Sequence, residues 1–218
     1  MENFVVTFAR GFGTGGKEIA GTLAKELGIN CYENRILTLA SQMSGLDEKL
    51  FQMVNEKVRN NGGISAFLRG LPKSKGYIAR NEKFVSDDKL FEYQSQIINN
   101  LADQESCVIV GKCADYVLRD RQNVVSVYIE APRDYCVKRT MKKMGVTEEV
   151  ANATITQTDK FRADYYQYYT HGKYWTNPVN YDITLNSEKV GIHDCVELIE
   201  QYLIIKGYIT PDMIKKVQ

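Results

Sequence analysis

Gly11-Phe12-Gly13-Thr14-Gly15-Gly16-Lys17 is the stretch that sets the reading of this chain. It follows residues 3–9, NFVVTFA, a run of β-branched and aromatic residues that reads as a strand. It precedes Ile19, Ala20, Leu23, Ala24 and Leu27, whose spacing predicts a helix over 16–27, stopped by Gly28. A glycine turn between a strand and a helix is the context in which such a motif carries chemistry. Glycines let the backbone curl so that successive N–H groups turn inward, and they leave room for phosphate oxygens. The helix N-terminus adds roughly half a positive charge at the same point. Gly13, Thr14, Gly15 and Gly16 are therefore the expected phosphate cradle, with Lys17 reaching a β- or γ-phosphate.

The string satisfies two patterns at once. As GxxxxGK it is the first part of a P-loop, and as Gly11, Gly13 and Gly16 it is the GxGxxG of a dinucleotide fold. Glu33 lies near the end of a short expected strand, 29–32, where the second pattern wants an acid for a ribose. Lys17 favours the first pattern, because dinucleotide sites seldom need a lysine there. A glycine turn without ligand is the blandest alternative. A full P-loop carries Ser or Thr after the lysine to hold Mg²⁺; here that residue is Glu18.

Beyond the loop, helices are expected at 34–43, 47–58, 87–104, 133–144, 147–169, 192–205 and 211–217. Strands are expected at 107–110, 124–129 and 181–185. The strands CVIV and VVSVYI are continuous apolar runs, as in a parallel sheet buried on both faces. Residues 59–86 hold Asn-Asn-Gly-Gly, Gly70, Pro72, Gly76 and several basic residues, and read as a long mobile insert. Strands alternating with helices predict an α/β fold, a P-loop NTPase-type parallel sheet with helices on both faces. One domain over 1–218 is expected, with 59–86 as an acceptor-side insert and 147–176 as a helical lid.

Composition excludes several classes. The 218 residues are 44% hydrophobic and 25% charged, which argues against disorder and fibrous structure. A net charge of +1 gives no global field for nucleic acid or a membrane surface, so neither partner is expected. The longest apolar runs are strand length, and the N-terminus lacks the pattern of a signal peptide. Five scattered cysteines without CxxC spacing read as free thiols in a reducing cytoplasm. The composition leaves the oligomeric state and the metal ligands open.

Five segments, in order, resemble the cytidylate kinase-like family, a branch of the P-loop nucleoside monophosphate kinases. They are Arg10 with Gly13-Thr-Gly-Gly-Lys-Glu-Ile-Ala20; Tyr32-Glu33-Asn34-Arg35-Ile36; and Val108-Ile-Val-Gly-Lys-Cys-Ala-Asp-Tyr116. The others are residues 128–139, and Asp159-Lys-Phe-Arg162-Ala-Asp-Tyr165-Tyr166 with Tyr169-Thr170 and Asn180-Tyr-Asp182. Glu18 is shared with the family pattern. Lys112 and Cys136 stand where the family usually has arginines, and the second change removes a charge. The resemblance implies ATP-dependent phosphoryl transfer to a nucleoside monophosphate, CMP being suggested by the family name.

Phosphoryl transfer asks the protein for positioning and positive charge. Lys17, Arg139 and Arg162 are the expected catalytic cations, with Arg162 carried on the lid. Glu33, Arg35, Lys112, Asp115 and Asp159 are the expected substrate contacts. Lys112 is placed just past a strand end, where open α/β sheets bind ligands. Plainer readings accompany each: Arg139 in a solvated basic face, Asp159 and Arg162 as a surface helix pair, Asp115 as a helix cap. Without a hydroxyl after Lys17, Mg²⁺ is expected to be held mainly by phosphates and waters. A nucleotide-binding protein without turnover is the second expectation, favoured by Glu18, Lys112 and Cys136. A dinucleotide-dependent oxidoreductase is the third.

Overall fold

A computed structural model of the chain describes residues 3–49, 51 and 87–216. The expected insert at 59–86, with Arg59, Arg69 and Arg80, lies outside the described residues, as does most of the helix expected at 47–58. The elements are β1 Val5–Arg10, α1 Gly16–Leu27, β2 Asn30–Tyr32, α2 Arg35–Ser44 and α3 Asp87–Gln104. There follow β3 Cys107–Val110, α4 Ala114–Val117, β4 Val124–Glu130, α5 Arg133–Met144 and α6 Glu148–Tyr169. β5 Ile183–Asn186, α7 Ser187–Val190 and α8 Ile192–Ile205 complete the series.

Five strands pair in parallel in the order β2-β3-β1-β4-β5. Alternate residues of β1 feed two cores. Val5 and Ala9 pack with α2, α3 and the end of α6, whereas Val6 and Phe8 pack with α1 and α8. The sheet is thus covered on both faces, which explains why its central strands β1, β3 and β4 are largely apolar. In a dinucleotide fold β2 lies beside β1. Here β3 takes that place and β2 is pushed to the edge, so the oxidoreductase alternative fails on topology.

Local chemistry sets the helix ends. Gly28 stops α1 in the left-handed conformation (φ 66°), its N–H donating to the carbonyls of Ala24 and Lys25. Thr147 caps α6 by accepting from the Val150 N–H. The segment expected as a helical lid, 147–176, is packed against the body of the protein in this structure. Tyr165, Tyr166 and Trp175 are buried in the core beneath α3, and Ala151 and Ile155 are buried against α5. Tyr168 and Tyr169 also donate to the Asp88 carboxylate and the Asp87 carbonyl.

Among the described residues, the helix expected at 211–217 does not form. After a single 3₁₀ turn, Pro211–Met213, the chain runs across α1, and the Lys215 N–H donates to the Glu26 carbonyl at 2.8 Å. A backbone N–H used this way leaves no helix to propagate. Lys216 then reaches Glu200 at 2.9 Å, Glu197 at 3.3 Å and Glu26 at 3.4 Å. Both Glu26 and Glu200 are 1% exposed. Burial pushes the Glu200 carboxyl above its ordinary value, and the neighbouring Glu26 adds to this, against the pull of Lys216. A carboxyl raised on folding takes up a proton, so its contribution to stability falls as pH rises from the ordinary value of about 4.5 toward the folded one. Thermal unfolding followed across that range should show this fall in the parent and a flatter profile in Glu200→Gln; identical profiles would contradict it.

Candidate active site

All the polar residues that matter gather beyond the carboxyl ends of the strands. Arg10 ends β1, Glu33 follows β2, Gly111 and Lys112 follow β3, and Glu130 ends β4. Open parallel sheets bind ligands at this edge because helix N-termini and loop backbone converge there.

The glycine loop wraps the start of α1 as expected. Gly13 and Gly15 are left-handed, at φ 83° and 88°. A Cβ on Gly13 would lie 2.7 Å from the Cys136 carbonyl oxygen, and one on Gly15 would lie 2.4 Å from Ile192 Cδ1 and 3.2 Å from Arg139 Nη2. Glycine is required at Gly15 both by its dihedral and by its neighbours. Gly15→Ala should cost at least about 1–2 kcal/mol from the dihedral alone and displace Arg139. Its unfolding midpoint and ATP affinity should both drop, and an unaltered pair of values would show that the loop tolerates a different path. Thr14 is fully buried: its hydroxyl donates to the Gly11 carbonyl at 2.9 Å and accepts from the Gly16 N–H at 3.3 Å. It braces the loop from inside and, contrary to expectation, lines neither cavity.

Two cavities open on this edge. One, of about 630 Å³, is lined by Gly13, Gly15, Gly16, Lys17, Arg139 and Lys142, with Lys143, Glu18 and Glu33 also in its wall. The other, of about 680 Å³, has Lys112, Asp115, Asn34, Tyr166 and Trp175 among its lining residues. Arg10 and Arg162 line both.

Lys17 forms a tight ion pair with Glu33, whose other oxygen accepts from Arg10 Nη2 at 3.3 Å. Burial pushes the Glu33 carboxyl up, but the Lys17 hydrogen bond and the charges of Arg10 and Lys17 outweigh it and hold the group below its ordinary value. Burial, and next the charge of Arg162, lower the Arg10 guanidinium to about 10, so it remains charged at neutral pH. Arg162 Nη1 donates to the Arg10 carbonyl at 3.1 Å and to Asp159 at 3.1 Å. Asp159 also accepts from the Phe12 N–H at 2.9 Å. Burial raises the Asp159 carboxyl despite its Arg162 partner. The i, i+3 pair on α6 is therefore a clasp on the loop, not a surface ornament. Its acid holds backbone instead of lining a cavity.

Other expected residues fall as follows. Arg139 leaves the basic face and donates to Glu18 at 2.7 Å on the cavity rim. Glu18 thus turns outward toward a cation, not beneath the loop. Lys112 and Cys113 take left-handed dihedrals, φ 63° and 54°, directly after Gly111 at 76°. Gly111 adopts this conformation freely, but Lys112 and Cys113 do so at a cost that packing must offset, and the three turn the chain to place Lys112 and Asp115 on the second cavity. Asp115 is in the first turn of α4 and accepts from the Tyr166 hydroxyl at 2.7 Å. Burial raises its carboxyl above the ordinary value. Arg35 stays exposed over the Tyr32 ring, 5.7 Å from its centroid, and lines neither cavity. Cys136 is buried against the loop backbone at Gly13 and lines neither cavity.

The residues missed by sequence reasoning are Arg10, Asn34, Lys142, Lys143 and the aromatic wall of the second cavity. Arg10 had two signals, its position at the junction of a strand and a glycine turn and its place at the head of the first family-like segment. Lys142 and Lys143 had only the spacing of one helical turn from Arg139.

The sequence model of the cytidylate kinase-like family matches residues 5–189. No curated protein matches the chain. Among solved structures, an uncharacterized protein from Eubacterium ventriosum is 24% identical, with a TM-score of 0.66, over 93% of this chain and 99% of that one. A sugar kinase from Janibacter is 14% identical with a TM-score of 0.52, over 99% and 100% of the two chains. Shikimate kinase from Bacteroides thetaiotaomicron is 11% identical with a TM-score of 0.51, over 92% and 98%. At these identities the likeness is one of fold. Among the described residues, no helix is long and apolar enough to cross a membrane.

Proposed function

This chain belongs to the cytidylate kinase-like family, and from that premise we propose that it transfers the terminal phosphoryl group of ATP to a nucleoside monophosphate, with CMP the first acceptor to test. One observation carries the reading. A glycine-loop cavity rich in cations and a second, aromatic and polar cavity meet at two arginines. A donor triphosphate suits the first. An acceptor with a phosphate at one end and a flat polar ring at the other suits the second. Two phosphates brought to Arg10 and Arg162 would lie close enough for in-line transfer, where positioning and charge do most of the work.

The residues at the loop suit a metal held mainly by phosphates and waters. Thr14 is spent inside the loop and Glu18 is engaged by Arg139. Glu33 is the other carboxylate in the wall of the donor cavity among the described residues. Mg²⁺, when bound with ATP, would neutralise phosphate charge, and at most one protein carboxylate is needed for it.

ADP formation measured with ATP, Mg²⁺ and each nucleoside monophosphate tests the proposal. Turnover with one monophosphate, CMP foremost, supports it. ATP that raises the unfolding midpoint without transfer to any monophosphate supports a non-catalytic nucleotide-binding protein instead. The Glu18–Arg139 pair favours that second reading, because it occupies a cation that a kinase would aim at phosphate.

A further inference from the structure

We propose that Arg10 is a phosphate contact shared by the two cavities, and that the Glu33 carboxylate holds the places of Arg10 and Lys17 until phosphate displaces it. The inference rests on reading the cavities as donor and acceptor sites.

The fold makes room for the Arg10 side chain on two sides. A Cβ at Gly16 would lie 2.6 Å from Arg10 Cβ, and one at Gly111 would lie 2.6 Å from Arg10 Nη1. Gly111 is also left-handed, at φ 76°. Gly16 thus leaves room for the base of the Arg10 side chain and Gly111 for its guanidinium, and Arg10 lines both cavities beside Arg162. Bringing two arginines together at one junction is costly without an anion between or beside them.

Glu33 supplies that anion for Arg10, as Asp159 does for Arg162. One Glu33 oxygen meets Lys17 and the other meets Arg10. A carboxylate spanning a loop lysine and a strand-end arginine presents the same two contacts as two oxygens of a phosphoryl group. Phosphate brings more charge and more acceptor oxygens, and an arginine fork can bind two of them in one plane. Glu33 sits on the short connection between β2 and α2, so its backbone is anchored while its side chain, 21% exposed, is free to turn off the junction. Binding of phosphate must then include the cost of breaking two ion pairs. Removing the carboxylate's charge should remove most of that cost.

The test is direct binding of inorganic pyrophosphate and inorganic phosphate in the presence of a chelator, so that no metal role of Glu33 enters. Glu33→Gln should bind pyrophosphate about tenfold more tightly than the parent, within the usual range of coupling between sites. Glu33→Asp, too short to span both cations, should show part of the same gain. Arg10→Lys combined with Glu33→Gln should lose most of it, because a point charge cannot replace the fork. Unfolding midpoints identify any variant that has lost its fold, and Glu33→Asp then stands in for Glu33→Gln. Pyrophosphate affinity that is unchanged or weaker in folded Glu33→Gln and Glu33→Asp overturns the proposal. Nothing in this measurement depends on transfer, so a protein without turnover on any monophosphate still decides it. Conversely, kinase activity with no gain in pyrophosphate affinity leaves the proposed function standing and removes this inference.

Discussion

Arg162→Ala should lower turnover on the order of a thousandfold, the usual worth of an arginine that meets the transferring group. ATP affinity should change much less. An interaction that matures only in the transition state contributes to rate and not to ground-state binding. The geometry sharpens this expectation. Arg162 lines both cavities, yet Nη1 is engaged by the Arg10 carbonyl and Asp159. It is thus held at the junction by protein contacts before any ligand arrives, an arrangement that limits the freedom lost at the moment of transfer. Arg162→Lys should restore little, because an ammonium cannot hold Asp159, a carbonyl and a phosphate oxygen in one plane. A structural role alone would predict that Asp159→Asn, which weakens the same clasp, costs as much turnover as Arg162→Ala. Turnover, ATP affinity and unfolding midpoint compared across the parent, Arg162→Ala, Asp159→Asn and Glu18→Gln decide among these. Full turnover in Arg162→Ala, with loss in Glu18→Gln, would mean that the charge is supplied by a protein-held metal at Glu18 and that this account of the site is wrong.

The parts of the fold that sequence reading recovered are those where local and tertiary demands agree. The α1 helix begins at the end of the glycine turn and stops at Gly28, because the apolar spacing and the left-handed cap say the same thing. The residues of β3 and β4 are apolar on both sides because both sides are covered. The C-terminal tail was misread because Pro211 and the following apolar residues carry a helical signal that is weaker than one backbone hydrogen bond to Glu26 and the pull of two buried acids on Lys216. At position 136 the sequence gives the lost charge but not the surroundings, and only the fold shows Cys136 buried beside the loop at Gly13. Asp159 and Arg162 have the spacing of any surface pair, and only the tertiary approach of α6 to Phe12 turns them into a clasp. Lys112 and Cys113 are ordinary residues in a left-handed path, a strain that no composition signals. Arg10 lies in plain view one residue before the turn, but whether a strand-end arginine faces solvent or a cavity depends on Gly16 and Gly111, which come from other elements.

Lys17→Ala should abolish measurable transfer and weaken ATP binding about tenfold to a hundredfold, the worth of one charge-assisted hydrogen bond to phosphate. The fold should survive. The Lys17 side chain is 65% exposed, and its partner Glu33 keeps Arg10 when the lysine is gone. Exposed side chains of this kind contribute within about 0.5 kcal/mol to stability, so the unfolding midpoint should stay near that of the parent. The effect on affinity is a difference of two quantities. Lys17 gives up Glu33 in order to meet phosphate, and its net contribution is the phosphate contact less the broken ion pair. In a Glu33→Gln background that ion pair is already weakened, so Lys17→Ala should cost more in ATP affinity there than in the parent. The two substitutions should therefore be non-additive, as expected of groups in direct contact. ATP binding by titration across the parent, the two single variants and the double variant measures both points. A Lys17→Ala protein that binds ATP as tightly as the parent would show that the glycine loop has been assigned to the wrong ligand. Strict additivity with Glu33→Gln would show instead that the Lys17–Glu33 ion pair has no bearing on how phosphate is held.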